Sequence, residues 1–220
     1  MVSGATISVS ASSQISLPVC VFLAASIQAN SGQTVLDIGS GVGVASLCLG
    51  ARIKGLSLNG IELQHKYASM SEANAIENSM NLNVINANLE DLPSEFRQKS
   101  FDHVMTNPPF FIPNTLSEPI FKEKSTANIE TIDLSDWIYL SLKRLKSGGS
   151  FSIIHLTERL PEILYSLSKS CGKICVLPMT ARRSRPAKRV IVQGIKGSKV
   201  SMKLLEPFIV HDGQVHAGDK

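Results

Sequence analysis

The chain has 220 residues, a length that fits one domain with a hydrophobic core of its own. A hydrophobic content of 43% and a charged content of 18% exclude a disordered or a fibrous protein. The net charge of +4 is unevenly distributed, because residues 181–203 contain eight Lys or Arg and no acidic residue, whereas residues 1–51 contain no Lys or Arg. A basic C-terminal third indicates a polyanionic partner.

The apolar run LPVCVFLAASI, residues 17–27, predicts a buried helix. It is too short to span a bilayer, so no membrane association is predicted. A secretory signal is the less favoured alternative, because no Lys or Arg precedes the run. The polar residues 1–16 show no hydrophobic periodicity and are expected to form a disordered arm. A single domain is predicted over residues 17–212, followed by a tail over residues 213–220.

The four cysteines, Cys20, Cys48, Cys171 and Cys175, do not show the spacing of a metal site. In CGKIC three residues separate the last two, and no second pair lies elsewhere in the chain, so no metal is predicted. Cys20 and Cys48 lie in apolar runs and are expected to be buried as small hydrophobic residues. Reduced thiols indicate a cytoplasmic protein.

Short β-rich runs alternate with helical patterns along the rest of the chain. Strands are predicted over residues 34–41, 56–63, 82–90, 101–107 and 150–156, and helices over residues 44–53, 64–80, 134–146 and 161–171. Residues 173–179 and 188–195 are predicted to pair as an antiparallel hairpin. This alternation predicts an α/β sheet covered by helices on both faces. Trp137 falls at a core position of its helix and is expected to serve packing.

Two unusual turns, at residues 39–43 and 107–111, follow predicted strands. Because ligands bind at the carboxyl ends of the strands in such sheets, we expect both turns on one edge. The first turn, in DIGSGVG, has glycines that allow positive φ and close approach of a ligand. Its spacing lacks the third glycine of the dinucleotide fingerprint, and Asp37 would repel a pyrophosphate but attract a cationic amino group.

Glu62 ends the second strand, where a carboxylate can accept hydrogen bonds from both hydroxyls of a ribose. An amino acid joined to a nucleoside without phosphate is S-adenosylmethionine, so this methyl donor is the favoured ligand and a nicotinamide or flavin is the alternative. Asn88, at the end of the third strand, is expected beside the adenine of the donor, although an Asn that forms its own turn is nearly as plausible.

The second turn, TNPPFF at residues 106–111, ends a strand with an amide and two prolines. An isolated Asn-Pro-Pro is most often only a turn. Beside a methyl donor, the oxygens of Asn107 and Pro108 can hold both hydrogens of a planar exocyclic amine and aim its lone pair at the methyl group. Phe110 offers a face on which a flipped-out base can stack, whereas Phe111 is expected to pack against the sheet.

Asp37, the GSGVG turn, Glu62 and NPPF, at these intervals, resemble the class I S-adenosylmethionine-dependent N-methyltransferases. More narrowly, residues 17–212 resemble the bacterial tRNA (adenine-N6) methyltransferase family, which acts on the adenine just 3′ of the anticodon in a valine tRNA. The resemblance implies a Rossmann-like, mostly parallel sheet of seven strands with an antiparallel C-terminal hairpin. Two features depart from the family: the segment SVSASSQISL, residues 8–17, lacks its usual glycine and aromatic residues, and position 88 is Asn where Asp is frequent.

The predicted site comprises three sets of residues. The catalytic set is Asn107, Pro108, Pro109 and Phe110. The donor-binding set is Asp37, Gly39, Ser40, Gly41, Gly43, Glu62, Leu63, Asn88, Leu89 and Asn107. The RNA-binding set is Arg182, Arg183, Arg185, Lys188 and Arg189, for which a solvated charged loop is the alternative.

These features favour methylation of an adenine amine in tRNA by a monomer or weak dimer. Four other functions stay open. NPPF-type motifs also occur in enzymes that methylate guanine in ribosomal RNA or glutamine in release factors, and a non-catalytic RNA-binding protein could keep the same fold. An oxidoreductase, the fourth alternative, would bind nicotinamide instead.

Overall fold

The computed structural model describes residues 7–10, 17–109 and 132–211. Within these ranges one mixed sheet carries every strand. The strands are β1 Thr34–Ile38, β2 Ser57–Glu62, β3 Leu82–Asn86, β4 Phe101–Thr106, β5 Leu145–Leu156, β6 Cys171–Thr180, β7 Arg189–Lys196, β8 Lys203–Leu204 and β9 Phe208–Ile209. Phe110 and Phe111 lie outside the described residues, so the predictions made for them concern a part of the chain on which the structure gives no information.

The strand order is β3-β2-β1-β4-β5-β7-β6-β8, and β9 also pairs with β6. Strands β1 to β5 are parallel, whereas β7 runs antiparallel to both β5 and β6. The predicted mostly parallel sheet with an antiparallel hairpin is therefore confirmed. The two-residue strands β8 and β9 add to the seven main strands at the outer edge of β6, and are too short to show a periodic pattern in the sequence.

Helices cover both faces of the sheet. They are α1 Leu17–Ser26, α2 Val44–Arg52, α3 His65–Glu77, α4 Ser94–Arg97, α5 Leu134–Lys143 and α6 Leu160–Ser168, with one 3-10 turn over Thr157–Arg159. Buried residues of α1, α2 and α3 form one hydrophobic cluster with the sheet, and those of α4, α5 and α6 form another on the opposite face. Along β1, Val35 belongs to the first cluster and Leu36 to the second, so the central strand is buried on both sides.

The sequence misplaced the boundary between α5 and β5. The predicted helix extended to residue 146, whereas α5 ends at Lys143 and β5 already begins at Leu145. The pair Gly148–Gly149 lies inside β5, where the register with β4 shifts between Phe101 and His103. Gly148 has a φ of 75°, which suits a bulge that only glycine tolerates well.

Residues 7–10, part of the predicted N-terminal arm, are bound to α3. Asn78 and Asn74 lie one helical turn apart, and each side-chain amide both accepts from a backbone N–H and donates to a carbonyl of the arm. The partners are Ser8 for Asn78 and Ser10 for Asn74. These bonds hold a short extended segment across the helix. None of the helices within the described ranges is long and apolar enough to cross a membrane.

Candidate active site

The carboxyl ends of β1, β2 and β4 meet at one edge of the sheet. The register pairs Ile38 of β1 with Ile61 of β2 on one side and with Thr106 of β4 on the other. The residues that follow these three, namely Gly39, Glu62 and Asn107, therefore lie side by side. The two unusual turns share one edge, as predicted, and this edge is called the site rim below.

The turn after β1 is held by backbone bonds to β2. The N–H groups of Gly39 and Ser40 both donate to the carbonyl of Ile61, at 2.9 and 3.0 Å. Gly43, just before α2, has a φ of 86°, and a Cβ there would lie 2.5 Å from Ser71 Oγ. Glycine is thus required at this position for both conformation and space.

Asp37 is a buried carboxylate one residue before the end of β1. Its side chain is 3% exposed, and the Ser46 hydroxyl of α2 donates to Oδ2 at 2.9 Å. Burial, together with the nearby charge of Glu62, outweighs the bonds from Ser46 and raises the pKa of Asp37 to about 7. With this pKa, the carboxylate is only partly charged near pH 7, and a cationic ligand would stabilise its charged form.

Glu62 joins the turn after β1 to the end of β2. Its two oxygens accept from the backbone N–H groups of Gly41, at 2.9 Å, and Gln64, at 2.8 Å. Burial raises the pKa of Glu62 above its ordinary value, although these bonds oppose the shift. A carboxylate has about four lone-pair positions, so two bonds leave capacity for hydroxyl donors from a ligand.

Asn107 follows β4 and presents an unused acceptor. Its Oδ1 atom is buried and has no hydrogen-bond partner among the described residues. Pro108 is buried and Pro109 is exposed, and neither can supply a backbone N–H to that oxygen. An unpaired buried acceptor costs roughly 1–3 kcal/mol. Such an atom on the site rim is placed to accept a hydrogen bond from a ligand.

The end of β3 only partly matches the prediction. The side chain of Asn88 is exposed, and its Oδ1 accepts from the Glu90 N–H at 3.0 Å, so Asn88 forms the turn that was the alternative interpretation. Leu89 is 6% exposed and belongs to the core on the α5 face. Leu63 is 48% exposed beside Glu62, whereas Ser40 is buried with its hydroxyl toward Gly60.

The predicted RNA-binding residues also lie at the site rim. They fall in and directly after the loop between β6 and β7, called the basic loop (residues 181–189) below. Arg189 pairs with Leu156 at the carboxyl end of β5, which is parallel to β4. Arg183, Arg185 and Lys188 are exposed, whereas Arg182 and Arg189 are half-buried. The loop is shaped by Thr180, whose hydroxyl donates to the carbonyls of Arg182 and Arg185 at 2.7 and 2.8 Å.

Sequence reasoning missed two residues at this rim. Cys20 of α1, expected to be a plain core residue, lies beside Asp37 and the Asn107 side chain, and burial followed by the charge of Asp37 raises its pKa to about 12. Trp137 of α5 donates from Nε1 to Thr106 Oγ1 at 2.9 Å. No sequence signal marks either contact, because both join residues that are distant in the chain. In the described ranges no cluster of His, Cys, Asp or Glu could hold a metal ion.

The fold is that of the Rossmann-like methyltransferases. A predicted O-methyltransferase from Agrobacterium tumefaciens superposes with a TM-score of 0.72 at 22% identity, over 90% of each chain. A tRNA (m1A58) methyltransferase from Aquifex aeolicus gives a TM-score of 0.59 at 14% identity, over 86% of this chain and 72% of that one. At these identities the likeness establishes the fold.

Residues 19–176 match the methyltransferase small domain family, and since this is more than half of the chain, the protein belongs to that family. A tRNA1(Val) (adenine(37)-N6)-methyltransferase from Pedobacter heparinus is 33% identical over 176 residues, which cover 78% of this chain and 73% of that protein. The protein of the same name from Porphyromonas gingivalis is 28% identical over 135 residues, covering 60% and 52%. The chain thus spans about half the length of the Porphyromonas relative.

Proposed function

We propose that the protein transfers a methyl group from S-adenosylmethionine to the exocyclic amine of an adenine in tRNA. The observation that carries the proposal is the buried Oδ1 of Asn107, which has no partner in the part of the chain that the structure describes and lies at the same sheet edge as two buried carboxylates. A pair of acceptors suits the two hydrogens of an amine, and the carboxylates suit a donor with a cationic amino group and ribose hydroxyls.

The residues of the site rim fit this donor. Asp37, with a pKa of about 7, gains a counter-ion for its buried charge when a cationic amino group binds. Glu62 keeps lone pairs free for the ribose hydroxyls after it has accepted from Gly41 and Gln64. Around the adenine we propose Leu63, Asn88 and Leu89. Since the Asn88 oxygen already accepts from Glu90, its amide N–H₂ is the group left to bind the ring.

When bound, the donor would supply an electrophilic methyl group on sulfur, and sulfur would keep the electron pair of the carbon–sulfur bond as the amine nitrogen took the methyl carbon. Asn107 Oδ1 and the Pro108 carbonyl accept the two amine hydrogens and hold the lone pair in line. The prolines keep both acceptors rigid, so little reorganisation is needed. The methylated nitrogen is strongly acidic and loses its proton to water, so no general base is needed. We assign stacking of the target base to Phe110.

We propose tRNA as the substrate because the basic loop borders the same rim. Arg183, Arg185 and Lys188 are exposed there and can contact phosphates near a base placed at Asn107. The relatives named for adenine 37 of tRNA1(Val) indicate the base beside the anticodon. Such a substrate implies a cytoplasmic enzyme, which we expect to act as a monomer or weak dimer.

The test is to incubate the protein with methyl-labelled donor and total tRNA, and then to digest the tRNA to nucleosides. We expect the label in N6-methyladenosine. Asn107→Ala should lower the rate by about 100-fold or more, because an amine held by two acceptors loses one of them. Asn81→Ala, which removes the same amide from an exposed loop position, is the matched control and should leave the rate unchanged.

Other outcomes would identify the alternatives. Label in guanosine of ribosomal RNA would indicate a guanine methyltransferase, and label in a release factor would indicate a glutamine methyltransferase. Binding of RNA without turnover, equally strong in wild type and Asn107→Ala, would indicate a non-catalytic relative. Any of these results would overturn the proposed substrate.

A further inference from the structure

Trp137 joins three elements that converge on the site rim. It lies in the first turn of α5, where its backbone N–H donates to the Asp133 carbonyl at 2.8 Å. Its ring is half-buried and packs against the core on the α5 face. Core packing alone requires only an apolar ring, and does not account for the polar contact that this side chain makes.

The indole N–H begins a chain of two hydrogen bonds across the sheet. Nε1 of Trp137 donates to Thr106 Oγ1 at 2.9 Å, and the same hydroxyl donates to the Ile38 carbonyl at 2.7 Å. Thr106 is fully buried, at 0% exposure, so water does not compete for either bond. Thr106 directly precedes Asn107, and Ile38 directly precedes Gly39. These two hydrogen bonds therefore connect Trp137 to the last residue before each of the two turns of the site.

The ring of Trp137 also contacts the glycine turn itself. A Cβ built on Gly39 would lie 3.2 Å from Cζ2 and 3.3 Å from Cη2 of the indole. The ring thus fills the space in which a side chain at position 39 would stand, and Gly39 has a φ of 71°. We call the turn at residues 39–43 the donor turn and the turn that begins at Asn107 the acceptor turn. The Trp137 side chain therefore contacts the donor turn with its ring edge and binds Thr106, directly before the acceptor turn, with its N–H.

We infer that Trp137 is a positioning residue that fixes the acceptor turn relative to the donor turn. The inference rests on the proposed function, because the positioned group is Asn107 and its alignment matters for transfer to a bound amine. Tryptophan suits this position because its N–H is a donor only, which forces the Thr106 hydroxyl to accept from it and to donate to Ile38. Phe would keep the packing and lose the orientation.

The test compares Trp137→Phe, Thr106→Val and the double variant in the tRNA methylation assay. Because displacements well below 1 Å already disturb an aligned reaction, we expect each single variant to lower kcat by about tenfold. Donor affinity and KM for tRNA should stay within about threefold, since neither side chain is assigned to binding.

The double variant should lose no more than the worse single variant, because both changes break one chain of bonds. Thr106→Ser, which keeps the hydroxyl, should retain near wild-type kcat.

Tyr139→Phe, on the exposed side of the same helix, is the control and should be unchanged. Additive losses, an unchanged kcat in Trp137→Phe, or equal losses in donor affinity and kcat would overturn the inference. A second readout needs no turnover. Because Trp137 is the only tryptophan of the sequence, the fluorescence emission of the protein should change when S-adenosylhomocysteine binds. Calorimetry measures the dissociation constant independently. If the wild-type protein methylates no tRNA, the proposed substrate is wrong. If S-adenosylhomocysteine binds without a change in tryptophan emission, the contact between Trp137 and the donor turn is rejected.

Discussion

Two aspartates at opposite ends of neighbouring strands experience contrasting environments. Asp37, near the carboxyl end of β1, is buried beside Glu62 and has a pKa raised to about 7. Asp102, near the amino end of β4, accepts from Lys146 Nζ at 2.8 Å and from the N–H and hydroxyl of Thr34 at 2.9 and 2.7 Å. Burial acts to raise the pKa of Asp102, but these bonds outweigh it and lower the pKa to about 2.

We propose that this difference separates a structural carboxylate from a ligand-binding one. Asp102 is paired within the fold and stabilises the start of β4. Burial disfavours the charged form of Asp37, and we propose that a cationic ligand stabilises that form when it binds. The rim at Asp102 carries a cavity of ≈ 390 Å³, lined by side chains that include Asp102 and Lys146. We propose the donor site at the other rim, because Asp37 and Glu62 there are buried carboxylates with a raised pKa.

The strongest test of this contrast is Asp37→Asn. Removal of the charge should weaken donor binding by about 100-fold or more, because a buried charge pair is lost from the complex. The unliganded fold should be at least as stable near pH 8, since the buried charge no longer has to be accommodated. Calorimetry with S-adenosylhomocysteine and thermal unfolding measure the two quantities. Equal affinity in the variant would show that Asp37 has no role in the donor site.

Donor affinity should depend on pH through Asp37. Since its pKa is about 7 without ligand and the bound donor requires the charged form, affinity should fall by about tenfold per pH unit below 7 and level off above it. Titrations from pH 5.5 to pH 8.5 measure this slope. In Asp37→Asn the donor affinity should depend less on pH. The dependence that remains should come from Glu62, whose pKa is also raised. A wild-type profile without slope would contradict the assignment.

The basic loop should be more important for RNA binding than basic residues on the opposite rim. Arg183→Gln with Arg185→Gln should weaken tRNA binding by about tenfold, and should lower the salt dependence by about one unit of slope for each lost phosphate contact. Lys173→Gln, a cation beside the cavity at the other rim, is the matched control and should have little effect. Equal effects at both rims would indicate non-specific attraction of RNA to a basic protein.

Asp102→Ala should have the opposite pattern to Asp37→Asn, with a small loss of stability and no loss of donor affinity. Loss of its bonds to Thr34 and Lys146 should lower the free energy of unfolding by about 1–2 kcal/mol, with a discount for the partly exposed Lys146. Donor affinity should stay within twofold. In wild type this contribution is present above the ordinary pKa of 3.8 and is lost as the pH falls toward 2, because the folded-state pKa is depressed. Chemical denaturation measures the change, and a loss of donor affinity would contradict a purely structural role.

The sequence predicted the central elements because their signals are local. The buried strands carry continuous apolar runs, and the glycine turn and NPPF mark the strand ends directly. The contacts that complete the site were not predictable in this way. Trp137 has the spacing of a core residue, and only the packing of α5 against the sheet brings its N–H to Thr106. Cys20 likewise comes close to Asn107 only through the packing of α1 on the sheet.

Other differences arise where tertiary contacts override a local pattern. Residues 7–10 lack any periodic signal, and their order derives from the two amides of Asn74 and Asn78 on α3. The helix α5 ends three residues early because Leu145 begins to pair with Phe101. Asn88 forms its own turn through a bond that its oxygen accepts from Glu90, and its place beside the adenine of the donor stays a prediction.

The most direct measurement of the central claim is a crystal structure with S-adenosylhomocysteine. We predict that its amino group binds the Asp37 carboxylate, that Glu62 accepts from the ribose hydroxyls, and that the sulfur faces Asn107 Oδ1. A ligand in the cavity beside Asp102, or an Asn107 amide turned away from the sulfur, would contradict it.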